Sequence, residues 1–67
     1  MEINTDKIER RIKAMDELCP YPNNVSAWVM WRMGFRHGSA GHAISRNGTL
    51  AYRDGYESGE DWARADQ

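Results

Sequence analysis

The side chains that could do chemistry in this 67-residue chain are few and far apart. Cys19, His37 and His42 are its candidate ligands for a transition metal such as zinc. The two histidines have the spacing of one half of a zinc motif, but Cys19 stands alone where a second ligand pair is required. A Cys–His nucleophilic pair lacks an identifiable third group to orient the histidine. We therefore predict no metal site, no cofactor and no catalytic activity.

The middle of the chain combines arginine with aromatic residues and contains no acid between positions 18 and 53. The chain as a whole has a net charge of −1, because residues 54–67 are acidic. Arg and Trp dominate many protein interfaces, and Arg beside an aromatic ring also suits unpaired RNA bases. We predict a protein partner, with RNA as the alternative. The expected partner-binding residues are Arg32, Arg36, His37 and Arg46.

A short motif occurs twice and predicts how the scaffold packs. Residues 31–38 return 21 positions later as residues 52–59, with an aromatic residue, Arg and two glycines at matched positions. Glycines four apart lie on one helical face and expose bare backbone, which favours close helix–helix packing. The alternative is that these glycines end helices. The residues assigned to helix packing are Gly34, Gly38, Gly55, Gly59, Trp28, Trp31, Phe35 and Tyr56.

The first predicted helix spans residues 5–18 and begins at an N-cap formed by Asn4 or Thr5. Its apolar stripe consists of Ile8, Ile12 and Met15. A chain this short has a marginal core, and a single cysteine cannot form an internal disulfide. We therefore predict a symmetric homodimer through this stripe.

The residues Cys19–Pro22 end the first helix, because a residue before proline is disfavoured in helical conformation. The second helix begins near Val25, is capped by Asn23, Asn24 or Ser26, and ends at Gly38 or continues to Arg46; the longer helix is favoured. Asn47-Gly48 forms a turn, with Gly48 as a left-handed cap. The third helix is capped by Thr49 and runs to about Ala65.

The expected fold is a single all-α domain over residues 1–67, a small bundle in which helices two and three pack antiparallel through their glycine faces. The arginines of helix two can then approach the acids of helix three. An α+β fold with a hairpin over residues 43–52 is the alternative. No apolar run reaches the ~20 residues of a membrane span, and the N-terminus lacks the features of a signal peptide. We therefore expect a cytoplasmic protein.

Two segments resemble a known family. Cys19-Pro20-Tyr21, followed by Trp28 and Trp31-Arg32, is similar to a block of bacterial ribosome modulation factor and related short phage and bacterial proteins. The segment Gly55–Gly59 resembles the Gly-Tyr-x-x-Gly of that family, which is more basic than this chain and carries the segment before the Cys-Pro-Tyr block. The resemblance implies a small helical binder without catalysis. Two functions stay open: a phage or bacterial regulator that binds a host protein, or a ribosome- or RNA-binding modulator.

Overall fold

A computed structural model of the protein describes residues 5–46 and 48–65. Over these residues the chain forms three helices, α1 (Thr5–Leu18), α2 (Val25–Ala40) and α3 (Leu50–Ala65). None of the described helices combines the length and the apolar character needed to cross a membrane. The all-α bundle is confirmed. The alternative hairpin over residues 43–52 is wrong, because residues 42–45 are irregular and α3 begins at Leu50.

The limits of α1 and the start of α2 follow the sequence signals. The helix α1 covers the predicted residues, while its possible cap Asn4 lies outside the described residues. The cap of α2 is Asn24, which has extended backbone angles and accepts a hydrogen bond from the Ala27 N–H at 3.1 Å. This bond satisfies one of the amide groups that a helix start leaves without a partner.

The predicted extension of α2 to Arg46 is wrong, because α2 ends at Ala40. The next residue, Gly41, has a φ of 78°, which favours glycine. Its N–H donates to the Gly38 carbonyl, and the His42 N–H donates to the His37 carbonyl at 3.0 Å. These two bonds form a Schellman motif, which ends the helix at Ala40 and not at Arg46.

The glycines of the repeated motif place the backbones of α2 and α3 in contact. A Cβ atom added to Gly34 would lie less than 3.0 Å from the Tyr52 carbonyl oxygen, and one added to Gly55 would meet the Trp31 carbonyl oxygen in the same way. A backbone carbonyl inside a helix cannot move aside as a flexible side chain can. Any larger residue would therefore push the helices apart. The second glycines have equivalent contacts, which are Gly38 with Tyr56 and Gly59 with Phe35.

These contacts are reciprocal between the two copies of the motif. Trp31 and Tyr52 are equivalent positions, as are Gly34 and Gly55, so the contact Gly34–Tyr52 becomes Gly55–Trp31 when the helices are exchanged. The contacts of the second glycines exchange in the same manner. The helices are therefore related by an approximate two-fold axis that runs between them. Packing through glycine faces is confirmed.

The direction of this packing is not the predicted one, because α2 and α3 run parallel. Trp31 lies opposite Gly55 and Phe35 lies opposite Gly59, so both helices advance together. Their N-terminal ends line one hollow and their C-terminal ends another. A second helix that continued to residue 46 would leave only a short turn, which requires an antiparallel neighbour. Ending α2 at Ala40 instead leaves residues 41–49, and nine residues reach up to about 30 Å, enough to return along the ~24 Å of α2.

Tyrosine side chains of α3 hold this returning segment. The Tyr52 hydroxyl accepts a hydrogen bond from the Ser45 N–H at 3.3 Å, and the Tyr56 hydroxyl donates to the His42 carbonyl. At the end of the segment, Thr49 caps α3 as predicted, because its side-chain oxygen accepts from the Tyr52 N–H at 3.2 Å.

The predicted turn at Asn47-Gly48 is only partly visible, because Asn47 lies outside the described residues. The expected left-handed conformation of Gly48 is wrong, since Gly41 alone has a positive φ among the described residues. A Cβ atom on Gly48 would collide with the Tyr52 ring. Glycine is therefore required there to let the backbone pass close to that ring.

The core lies where α1 covers the α2–α3 pair. Trp31 and Phe35 are at most 1% exposed there, and Met15 is the buried contribution of α1. Tyr52 is also 1% exposed, but it packs beside His37 and the returning segment. Trp62 of α3 packs beside Phe35 with a ring separation of 5.8 Å. Apolar burial on this scale is the main favourable term in folding.

The position of Met15 changes the predicted dimer surface. Met15 packs inside the chain, while Ile8 and Ile12 of the same stripe are 43% and 45% exposed. A symmetric dimer through α1 stays a prediction, and it would have to use the two isoleucines without Met15.

We expect Gly34→Ala and Gly55→Ala each to lower the free energy of unfolding by about 1–3 kcal/mol, the usual cost of overpacking. Without a steric contact, alanine would stabilise the helix by about 0.5–1 kcal/mol relative to glycine. A lower free energy of unfolding therefore identifies the steric contact. The free energy of unfolding of the double variant should fall by less than the sum of the two single decreases, because either methyl group alone already separates the helices. Chemical denaturation measures all three. Unchanged or increased stability of both single variants would show that the backbones are not in contact.

Candidate protein-binding surface

The helix α2 has a second apolar surface on the side turned away from α3. Its large apolar residues there are between 39% and 77% exposed. Two arginines lie among them, and all but the first member of the group line one open hollow. We call this group the outer α2 surface. It consists of Val25, Trp28, Val29, Arg32, Met33 and Arg36.

An ordered cation–aromatic pair stands at the centre of this surface. The Arg32 guanidinium carbon lies 4.5 Å from the centroid of the Trp28 ring, within the range of a cation–π interaction. The same guanidinium donates to the Asp16 carboxylate of α1 at 2.6 Å. Arg32 therefore has one face on the indole and one edge on a carboxylate. Its side chain is 20% exposed, while that of Asp16 is 63% exposed.

Trp28 was predicted to pack in the core, and this is wrong. Trp31 and Phe35, predicted with it, are buried, whereas Trp28 is 39% exposed beneath Arg32. Large aromatic side chains that are ordered before binding lose little entropy on contact with a partner. Trp28 therefore belongs to the outer α2 surface.

Arg36 lies one helical turn after Arg32 and is exposed, as the sequence predicted. Among residues 5–46 and 48–65 no carboxylate pairs with it. The expected pairing of the α2 arginines with the acids of α3 is not observed: Arg32 pairs with α1, and Asp61 of α3 pairs with Arg64 on its own helix. Arg36 therefore presents the unopposed positive charge that the acid-free sequence suggested.

The remaining predicted partner residues, His37 and Arg46, lie elsewhere. The His37 Nδ1 atom is 2.7 Å from the Tyr52 hydroxyl, and the ring is half-buried against α3. Arg46 is exposed, but it follows Ser45, whose backbone bonds to the same hydroxyl. His37 is thus part of the contact that holds the returning segment, and Arg46 is separated from the outer α2 surface.

The three residues considered as metal ligands do not come together. The His37 and His42 rings lie 5.7 Å apart, while Cys19 packs against the core at the end of α1. No group of three potential ligands forms within the part of the chain that the structure describes.

The two copies of the motif provide an internal comparison for the outer α2 surface. The positions equivalent to Trp28, Met33 and Arg36 are Thr49, Asp54 and Glu57. The glycine contacts between the helices use the shared positions. In the second copy two of the differing residues stabilise the fold, since Thr49 caps α3 and Asp54 accepts a hydrogen bond from Trp31 Nε1 at 3.2 Å. In α2 the residues at those positions are exposed, so they are available to contact a partner. Sequence reasoning missed Val25, Val29 and Met33 as binding residues. Aligning the two copies distinguishes Met33 from Asp54, whereas Val29 aligns with the apolar Leu50.

No family model, curated protein or solved structure matches this chain. The resemblance to ribosome modulation factor stays a prediction. Its residues serve different parts of this structure: Cys19–Tyr21 connects α1 to α2, Trp28 is on the outer α2 surface, and Gly55–Gly59 lies in the helix interface.

We expect Tyr52→Phe to destabilise the fold by about 1–2 kcal/mol, because it removes the hydroxyl shared by His37 and Ser45. Tyr21→Phe is the matched control, since the Tyr21 hydroxyl has no hydrogen bond among the described residues and should change stability by less than about 0.5 kcal/mol. Thermal unfolding compares them. Equal effects would mean that the Tyr52 hydroxyl does not hold the returning segment.

Substitution of the two tryptophans of α2 should change the free energy of unfolding by very different amounts. Trp31→Ala removes a fully buried ring and should cost about 3–5 kcal/mol or prevent folding. Trp28→Thr, which installs the residue found 21 positions later, removes a partly exposed ring and its contact with Arg32 and should cost about 1–2 kcal/mol. Denaturant titration measures both free energies. A loss for Trp28→Thr comparable to that for Trp31→Ala would place Trp28 in the core after all.

Proposed function

We propose that this protein is a small, non-catalytic binding protein that acts by docking a protein partner on the outer α2 surface. The observation that carries the proposal is the contrast between the two motif copies. The exposed apolar residues of α2 lie outside the glycine contacts between the helices, and they surround an ordered Trp28–Arg32 pair. Exposed apolar clusters with Trp and Arg are typical of protein interfaces.

A protein partner suits this surface better than RNA. Val25, Val29 and Met33 would contact a partner together with the arginines, and apolar side chains do not favour phosphate groups. The Trp28 ring already carries Arg32 on one face, which removes that face as a platform for a base. RNA binding of the ribosome modulation factor type is the second candidate, supported by the guanidinium of Arg36, which pairs with no carboxylate among the described residues.

The biological role that we propose is that of an accessory regulator from a bacterium or phage, which binds a host protein. This part of the proposal is supported by the sequence resemblance. A chain of 67 residues that carries the outer α2 surface suits a regulator that alters another protein by occupying a site on it.

The proposal is tested by recovery of partners from bacterial lysate. The bait is the intact chain, and the matched bait is Trp28→Thr/Met33→Asp/Arg36→Glu, which carries the residues of the second motif copy. A protein captured by the parent and lost from the variant, with or without nuclease, is the expected result. Capture that disappears with nuclease, with affinity falling steeply as salt rises, would indicate RNA instead.

Once a partner is identified, we expect Arg36→Ala to weaken its binding free energy by about 2 kcal/mol, as removal of an interface hot spot does. Its folding should stay nearly unchanged, because no carboxylate in the described residues pairs with it. Calorimetric titration and thermal unfolding on the same variant separate the two effects. Full binding by Arg32→Ala/Arg36→Ala would exclude the outer α2 surface as the docking site.

A further inference from the structure

The outer α2 surface already shows the chemistry that one of its arginines accepts. The Asp16 carboxylate approaches Arg32 from α1 while Trp28 supports the guanidinium from its other side. Asp16 is mostly exposed, and an exposed ion pair contributes little to stability. An incoming carboxylate could therefore replace Asp16 on Arg32 at little cost. The fold thus holds a carboxylate of its own at a position that a ligand's carboxylate would take.

The second arginine extends the same pattern along the helix. Arg36 follows Arg32 by four residues, so the two side chains leave neighbouring turns of one helical face. Val29 and Met33 occupy the same face beside them and are 42% and 41% exposed. A complementary ligand therefore needs two acids about one helical turn apart, next to apolar side chains. An amphipathic helix with acids along the edge of its apolar stripe has this arrangement.

We infer that the outer α2 surface receives an acidic amphipathic helix of a partner protein, with one carboxylate replacing Asp16 on Arg32 and another pairing with Arg36. The inference rests on the proposed function and adds the chemistry of the partner. It also assigns a role to Asp16, which competes with the ligand and holds Arg32 in place until binding occurs.

A second copy of this chain fits the surface less well. Pairing of two outer α2 surfaces would bring the arginines of both copies together, and like charges oppose such contact. The helix α3 offers exposed acids, but its one large exposed apolar side chain is Leu50 at its beginning. The helix α1 exposes Ile8 and Ile12 beside acids, but its four acids are matched by four bases, so it offers the two arginines no net negative charge. None of these arrangements supplies an acidic helix with an apolar face.

The test begins with selection of binders from a library of random peptides, each long enough for about four helical turns. The target is the intact chain. We expect the selected peptides to combine apolar residues at helical spacing with acids three or four positions apart. Selection on Arg36→Glu should shift the peptides toward basic residues, since the second motif copy shows that this scaffold accepts glutamate at the equivalent position. Peptides with no excess of acids, or an unchanged composition with Arg36→Glu, would overturn the inference.

The role of Asp16 is tested with one selected acidic peptide as the probe. Asp16→Asn frees Arg32 and should tighten binding by about two- to fivefold, the size expected for loss of a competing exposed ion pair. Asp61→Asn is the matched control, because it breaks the exposed Asp61–Arg64 pair of α3 and should leave affinity unchanged. Equal or weaker binding by Asp16→Asn would overturn the competing role of Asp16.

The outcomes separate this inference from the proposed function. Peptides that lose binding with Trp28→Thr but carry no acids would leave the docking surface intact and reject its acidic ligand. Peptides unaffected by Trp28→Thr and Met33→Asp would reject the docking surface itself. Displacement of the acidic peptide by a random single-stranded RNA would overturn the inference in favour of RNA. Self-association of the chain that Arg36→Glu abolishes would overturn it in favour of a second copy.

Discussion

Contact between the backbones of α2 and α3 is the constraint on which the structure depends. At four places a glycine of one helix faces a carbonyl of the other, so no side chain separates them. Glycine inside a helix costs about 0.5–1 kcal/mol, while Cα–H···O contacts at such an interface contribute about 0.5–1 kcal/mol each. The interface therefore offsets the intrinsic cost of its glycines, and close approach adds the dispersion contacts of the flanking aromatic rings.

The same interface separates the positions needed for folding from those available for binding. Approximate two-fold symmetry imposes equal packing requirements on both helices, and the aromatic and glycine positions meet them equally. The outward positions differ between the helices: α2 carries Met33 and Arg36 where α3 carries Asp54 and Glu57. Asp54 bonds to Trp31 Nε1 of α2, whereas Met33 and Arg36 are exposed. A chain with an internal repeat thus contains its own control for distinguishing scaffold from site.

Local signals in the sequence predicted the helices and their packing faces well. The limits of α1, the cap Thr49, the end of α3 near Ala65 and the glycine contacts were predicted from spacing and residue type. The cap of α2, Asn24, was one of three candidates. Of the proposed binding residues, Arg32 and Arg36 lie together on the outer α2 surface. These features depend on interactions within a few residues along the chain, which periodicity and capping rules describe.

The wrong predictions concern features that local patterns do not determine. Two glycine faces can pack in either direction, and the choice depended on whether Gly41 or a later residue ended α2. Trp28 was misplaced because α2 is apolar around most of its circumference, so spacing does not tell which aromatic residue α1 and α3 cover. The contact of His37 with the Tyr52 hydroxyl was not foreseen, because the parallel arrangement of α2 and α3 brings the two side chains together.

Parallel packing also determines how the helix pair can assemble. In an antiparallel hairpin, the contacts near the turn close small loops and form first, and each then shortens the loop that the next must close. Here Trp31 meets Gly55 and Phe35 meets Gly59, so every contact joins residues separated by a similar length of chain. No contact closes a short loop, so none lowers the entropy cost of forming the others. The interface should therefore form and open as one cooperative unit, without the gradual fraying that a hairpin allows.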